Sequence, residues 1–544
     1  MLRAKAGYED TRAAFRWDIP ERYNIGVDVC DRLAEATPQA LALRDVAPGG
    51  AFRDVTFGAL RARSNQLAHV LQGRAQPGDR VGVLLAQCEM TALAHIAAFK
   101  MGAISLPLFT LFGPDALLHR LKDSGARVVI TDAEGAAKLE PLRAQLPELV
   151  HVLTVADAPD DNALEAQMAS QSPEFTPVDT AADDPALLIY TSGTTGHPKG
   201  ALHAHRVLLG HLPGVEMSHD FLPQEGDRIW TPADWAWIGG LLDVLLPALH
   251  HGVPVVAHRF RKFTAEAAFD FIETHGIRNA FLPPTALKLM RQAEGRRVQM
   301  RSVASGGETL GAELLDWGRD VFGVTINEFY GQTECNMVVS SCAALAPAEP
   351  GVMGWAVPGH EVAVIDPSGA ACETEEEGDI AVVSPDPVMF LKYWNRPEAT
   401  DEKFRTGPDG TRWLLTGDRG WHTSSGRIAY KGRDDDVISS SGYRVGPAEI
   451  EDCLLTHPSV AMAGVVGQPD KTRGEIIVAY VTLTADAAPG DALAQEISDH
   501  VRTRLAAYEA PRAVRFLDEM PLTTTGKIIR RALREHARGV RDQP

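Results

Sequence analysis

The chain is poor in cysteine, with six in 544 residues: Cys30, Cys88, Cys335, Cys342, Cys372 and Cys453. None forms a C-x-x-C pair, and the gaps match no zinc pattern. A disulfide-stapled or zinc-built fold is therefore not expected; buried, reduced thiols in a cytoplasmic protein are. Positive charge is also scarce, 53 Lys and Arg against 72 Asp and Glu, for a net charge of −19. A nucleic-acid binder needs a basic face to displace counterions, so that class is disfavoured. Long apolar runs are missing too. The nearest, Gly239 to Leu249, is interrupted by Asp243 and Pro247, so no membrane span is expected. The opening MLRAKAGYEDTRAAF lacks the apolar centre of a secretory signal, and its Glu9 and Asp10 are unlike a transit peptide. His203, His205, His250 and His251 have no strong metal-site spacing and read as packing or surface histidines.

What is present is an ordinary globular composition, 45% apolar and 23% charged, in a chain long enough for three or four domains or subdomains. Short apolar runs alternate with helical stretches through the first 430 or so residues. Arg80-VGVLLA is followed by Met90-TALAHIAAFK, then Ile104-SLPLF, a helix around Ala116–Leu121, and Arg127-VVIT. The pattern returns at Val253-PVVAH, Ala265–Thr274 and Ile277-RNAFLP. Such alternation predicts α/β architecture, with stacked, mostly parallel sheets flanked by helices. After Gly378 the strands are short and glycine-bounded, which predicts a small β-ribbon or barrel subdomain. A second unit, residues 435–544, follows the first at 1–434. It reads as a small α+β domain: helix 447–456, strands near 461–467 and 475–483, helix 491–506 and a strand at 513–517.

One stretch concentrates unusual chemistry. Tyr190–Gly200, YTSGTTGHPKG, has three glycines, four Ser or Thr hydroxyls and one lysine, directly after the apolar Ala186-LLI. Glycine lets backbone N–H groups approach a phosphate, hydroxyls add donors, and lysine adds charge. The alternative is a flexible turn between sheet elements. It is not a P-loop, because Lys199 is preceded by Pro198 and followed by Gly200. Five more motifs follow in order: Ser305-GGE, Asn327-EFYGQTE, Leu414-LTGD, Gly432-RDDDVISSSGYRVGPAEIE and Pro521-LTTTGKIIRR. Together these resemble the superfamily of AMP-forming acyl-CoA synthetases, peptide-synthetase adenylation domains and luciferases, over about 350 residues. The medium-chain acyl-CoA synthetases are the closest branch, with ERYNIGVDVCDR and PADWAWIGG as further points of likeness.

The resemblance implies a reaction in two halves. A carboxylate attacks the α-phosphorus of ATP to give an acyl-adenylate and pyrophosphate; coenzyme A then displaces AMP. It implies that Thr191, Ser192, Gly193, Thr194, Thr195 and Lys199 hold the β- and γ-phosphates. Thr333 would bond the α-phosphate, and Glu334 would be the Mg²⁺ ligand. Gly306, Gly307 and Glu308 would lie along the adenine, with Tyr330, Gly331 and Gln332 completing the nucleotide contacts. Asp418 would accept the ribose hydroxyls, joined by Arg433. Lys527 would insert between carboxylate and α-phosphate, and Asp435 would be the hinge about which the C-terminal domain turns. Taken alone, Glu334 reads as a solvated loop acid, Asp418 as a turn residue before Arg419-Gly420, and Lys527 as an exposed lysine after a glycine.

The resemblance further implies coenzyme A contacts at Gly442, Arg444 and Arg502, and an acyl pocket walled by Trp235, Trp237, Gly239 and Gly331. Both tryptophans could equally be core aromatics. Gly331 stands where acetate-specific relatives carry a tryptophan, so acids larger than acetate are expected: short-to-medium-chain, branched or arylalkyl. Glu509 replaces a common lysine and would reverse a charge near the mouth of the coenzyme A channel, leaving Arg502 and Arg512 to supply positive charge. The expected partners are thus a carboxylic acid, ATP and coenzyme A, with self-association left open. Two other readings stay open: a stand-alone adenylation enzyme that loads a carrier protein, and a non-catalytic nucleotide sensor. A fused carrier is not expected in the thirteen residues after Arg531.

Overall fold

The computed structural model describes residues 2–155, 163–191, 198–307, 310–433, 436–484, 486–521 and 528–539. Among them, seven strands form a first sheet in the order 392–393, 199–204, 185–191, 104–107, 80–84, 128–132, 151–155. Its central strands are parallel, while Lys199–Ala204 runs antiparallel to Pro185–Thr191. The glycine-rich stretch therefore joins a hairpin rather than a strand and a helix.

A second sheet has a parallel half, in the order 41–46, 255–257, 229–230, 279–281, 302–306, 326–332. It does not stop there. Strands Cys335–Ser340 and Val352–Ala356 carry it, antiparallel, into the ribbons 428–433, 412–422, 378–383 and 362–365. The ribbon region anticipated as a separate subdomain is thus hydrogen-bonded onto the second sheet.

Two helices lie between the sheets. All twelve residues of Glu89–Lys100 are buried. Its apolar residues pack with Val81 and Val128 of the first sheet and Leu43 and Val255 of the second. Val207–Ser218 is nearly as enclosed. A helix covered on every side has no solvent stripe, so its sequence is apolar all round rather than amphipathic. Surface helices differ: Ala312–Phe322 buries Leu314, Leu315, Gly318 and Phe322 and exposes the rest or nearly so.

The last sheet comprises strands 443–445, 438–440, 474–483, 460–470 and 513–516 among the described residues. On one face Leu533 and Ala537 of helix Arg530–Gly539 are buried against Val466, Val478 and Tyr480. Residues of the other face, with helices 447–455 and 491–504, share a core with Leu106, Phe109 and Leu117 of the main body. Ion pairs Arg120–Glu449 (3.3 Å) and Arg504–Asp115 (2.8 Å) flank that contact.

Candidate active site

A cavity of about 690 Å³ opens where the two large sheets and the C-terminal sheet meet. Its walls come from the ends of strands, where α/β folds place ligands. Strands Ile326–Gln332 and Cys335–Ser340 pair through Gln332 and Cys335, so only Thr333 and Glu334 remain for the turn. That tight hairpin turn presents both residues to the cavity. Thr191 and Lys199 face each other across the other hairpin and line the same space. Gly306 ends a parallel strand, and Gly307 follows it into the wall.

The polar groups of this wall are tied to one another. Tyr393 donates its hydroxyl to Oε1 of Glu334, and the Lys199 ammonium lies 5.3 Å from the centre of the Tyr393 ring. Tyr330 donates to Oδ2 of Asp418 at 2.6 Å, and the Arg444 guanidinium approaches the same oxygen at 3.5 Å. Asp418 is fully buried; burial, and then the Asp418 charge, push the Tyr330 phenol well up. Gln332 donates to the Thr416 carbonyl at 2.9 Å and accepts from Lys403 at 3.2 Å. A site so wired needs little rearrangement when charge develops in it.

Gly331 sits where the chain cannot carry a side chain without moving. A Cβ there would stand 2.5 Å from the Cα and Oδ1 of Asn336. Gly442, at φ +83, takes a left-handed turn that brings its backbone to the cavity beside Pro283. Tyr443 follows, stacked on Tyr508 at 4.2 Å and packed at 6.0 Å against Trp237. The C-terminal unit therefore presents its Ser441–Arg444 turn to the site.

Thr191, Lys199, Trp237, Gly239, Gly306, Gly307, Gly331, Gln332, Thr333, Glu334, Gly442 and Arg444 all line this one cavity. Tyr330 and Asp418 are not in its lining but are tied to it through Arg444. Ser192, Gly193, Thr194, Thr195, Glu308, Asp435 and Lys527 lie outside the described residues. Of Arg433 the structure describes the backbone, paired with Asp418.

Two expectations are corrected. Trp235 does not wall the cavity; it is buried in the core between the sheets. The cause is a turn in which Ala236 N–H bonds the Asp234 side chain and Trp237 N–H bonds the Asp234 carbonyl, so the two indoles diverge. Arg502, expected to contact coenzyme A, lies outside the cavity wall, exposed and paired with Asp499. Glu509 is buried, 2% exposed, beside Glu449 and Arg120, and so places no charge at an open channel mouth.

The sequence reading missed Asp234, Arg259, Tyr393 and Lys403, all in the wall. Burial raises the Asp234 carboxyl to about 6. Tyr393 stands in LKYWNRPEAT, where nothing charged marks it as functional; only the fold brings it to Glu334. Histidines 203 and 205 are fully buried and pushed down to about 3 and 4, hence neutral. Among the described residues no group of three or more His, Cys, Asp or Glu side chains is placed to hold a metal, and no helix is long and apolar enough to cross a membrane.

One cavity thus gathers two hairpin ends, glycine backbone and a turn of the C-terminal unit. The AMP-binding enzyme family matches residues 30–394, and the AMP-binding enzyme C-terminal domain matches residues 449–527. The chain belongs to this family and is an AMP-forming acyl-CoA synthetase. It is 33% identical to the acetyl-coenzyme A synthetase of Bacillus subtilis, covering 97% of this chain and 94% of that protein. It is 32% identical to the mitochondrial acyl-coenzyme A synthetase ACSM4 of Mus musculus, over 96% and 92%. Among solved structures, an acyl-CoA synthetase of Brucella canis superposes with a TM-score of 0.72 at 32% identity, over 99% of this chain and 100% of that one.

Proposed function

We propose that this ligase activates a short-to-medium-chain, branched or arylalkyl carboxylic acid, and that the residues around Thr333 and Glu334 perform the adenylation. The observation that carries this reading is the single cavity in which Lys199, Thr333 and Glu334 share a wall with Trp237 and Gly331. The acid lies against the second pair and the triphosphate along the first. Relatives do not narrow the acid: their names include an acetyl-coenzyme A synthetase and an anthranilate CoA ligase.

In the first half-reaction the acid's carboxylate displaces pyrophosphate from the α-phosphorus. Thr333 and the backbone at its turn hold the α-phosphate, and Lys199 balances the outer phosphates. Asp418 fixes the ribose. Glu334 fits a hard cation: its carboxylate is nearly buried, faces the cavity and is oriented by Tyr393. It would hold Mg²⁺, which when bound neutralises phosphate charge. Lys527 supplies an ammonium between carboxylate and α-phosphate. In the second half the 435–544 domain has turned at Asp435 and brings Gly442 and Arg444 to the site, the arrangement the structure supports. Arg512 lies close enough to feel the charges of both Arg473 and Arg502. We assign this basic cluster to the phosphates of coenzyme A, outside the cavity. The six free thiols fit a reducing compartment, the cytoplasm in this reading.

The deciding experiment is a panel of acids scored by pyrophosphate release, with and without coenzyme A. Thioester formation on coenzyme A with acids larger than acetate supports the proposal. Transfer only to a phosphopantetheinyl carrier, or no turnover, overturns it.

A further inference from the structure

At the acyl end of the cavity the adenylation chemistry uses no charged group, yet a carboxyl stands there. Asp243 lies in the helical turn Leu241–Leu245, just beyond Trp237 and Gly239, and is 2% exposed. It lines the cavity, as does Asn336 from the strand opposite. Asn336 donates its amide to Oδ1 of Asp243 at 2.7 Å. Among the described residues no cation answers the carboxyl, and burial raises its proton affinity well above the usual range; a donor on a bound acid would favour the carboxylate again and leave Oδ2 an acceptor. The second oxygen lies on the cavity side, toward Gly239: Oδ2 stands 3.6 Å from where a Cβ on that glycine would be, and both residues line the cavity. Phe281, Phe329, Pro283 and Ala286 make the surroundings apolar.

A carboxyl in such a place is expensive unless something bonds it. If its task were only to stitch the helical turn to the strand, a packed hydrophobic pair would do so at lower cost. Gly331 belongs to the same device. Any side chain there would collide with Asn336, so glycine keeps Asn336 placed to hold Asp243.

We propose that Asp243, oriented by Asn336, accepts a hydrogen bond from a donor on the acyl chain, so that the preferred substrate is a hydroxy- or amino-substituted carboxylic acid rather than a plain hydrocarbon acid. The inference rests on the acid:coenzyme A ligase reading and deepens it. An apolar pocket separates neighbouring acids weakly, about tenfold to a few hundredfold per methylene. A site built to bond a donor rejects the analogue lacking it by up to about 10⁴-fold, because its buried acceptor is left unpaired.

The test uses matched pairs: pentanoate against its 3-, 4- and 5-hydroxy and 5-amino derivatives, and 3-phenylpropionate against its 4-hydroxyphenyl counterpart. The readout is the ratio of kcat/KM within each pair, from pyrophosphate release, so a general loss of activity cancels. The wild type should favour a donor-bearing member by at least about tenfold. Asp243→Leu should reverse that ratio. Asp243→Asn, which keeps the shape, should remove a preference for the amino acid and weaken one for the hydroxy acid. A wild type that prefers the plain member of every pair overturns the proposal, as does a ratio that neither variant moves. If the acids turn over but the ratios do not respond, only this inference fails. If no acid releases pyrophosphate, the ligase reading falls and takes it along.

Discussion

The cavity has two walls of different character. The main-body wall is fixed. Tyr330 and Asp418, Tyr393 and Glu334, and Gln332 and Thr416 bond one another within one body. The C-terminal wall is only docked. It reaches the site through Arg444 and Tyr443, and it is held elsewhere by Arg120–Glu449, Arg504–Asp115 and a shared apolar core. A fixed wall suits a nucleotide that stays through both half-reactions. A docked wall suits contacts needed in only one of them.

That contrast can be broken by mutation. The largest effect is expected at Lys527, in the C-terminal unit that we propose turns between the half-reactions. Lys527→Ala should slow acyl-adenylate formation by about 10²–10³-fold, the usual loss for one charge-stabilising donor. It should spare conversion of supplied acyl-adenylate and coenzyme A to thioester; equal loss in both assays would contradict the assignment. Asp418→Asn, on the fixed wall, should instead harm both halves. We expect a rise in KM for ATP of about 10- to 100-fold, as when a charged hydrogen-bond partner is lost. An effect confined to one half-reaction would remove the distinction between the walls.

Asp435→Pro locks φ near −65° at the proposed hinge. Thioester formation should slow by about tenfold while adenylation changes by less than about twofold, measured by single-turnover kinetics of each half. Unchanged rates would dispose of the hinge. The smallest effect concerns the docked face itself. Burial, then the neighbouring Glu449, raise the Glu509 carboxyl well above its usual range. The folded state therefore holds this proton more tightly than the unfolded chain. Its stabilisation is complete below the ordinary carboxylate value and is lost as pH rises through the raised one. Glu509→Gln should make the melting temperature less sensitive to rising pH, by about 2 °C at pH 8, with the two proteins converging toward pH 4. A constant offset at every pH would show that Glu509 does not titrate.

The nucleotide wall was the legible part of this molecule. Its residues are small, hydroxylic or charged, and they recur at fixed spacings in a contiguous stretch such as Tyr330-GQTE. The alternating fold was legible too, because apolar runs of strand length stand out between helical stretches. The acyl wall was not. Trp235 and Trp237 are two residues apart and chemically identical, and only the turn at Asp234 sends one to the core and the other to the cavity. Asp243 looked merely like an interruption of an apolar run; its partner Asn336 is 93 residues away. Glu509 reads as surface charge in the sequence; in the fold it is buried with Arg120, from a distant helix, beside it.

The continuity of the second sheet also has a consequence for tolerance to insertion. Glu334 stands at the turn into strand 335–340, which is joined to the Asp418 strand by successive lateral pairings through 352–356, 428–433 and 412–422. Interstrand spacing, about 4.8 Å per step, thus acts as a ruler between the phosphate anchor and the sugar anchor. Extra residues at the outer hairpin around Asp366–Ala370 leave that ruler unchanged. A single residue added between Tyr330 and Gln332 would shift its zero mark and displace Thr333 and Glu334 relative to Asp418.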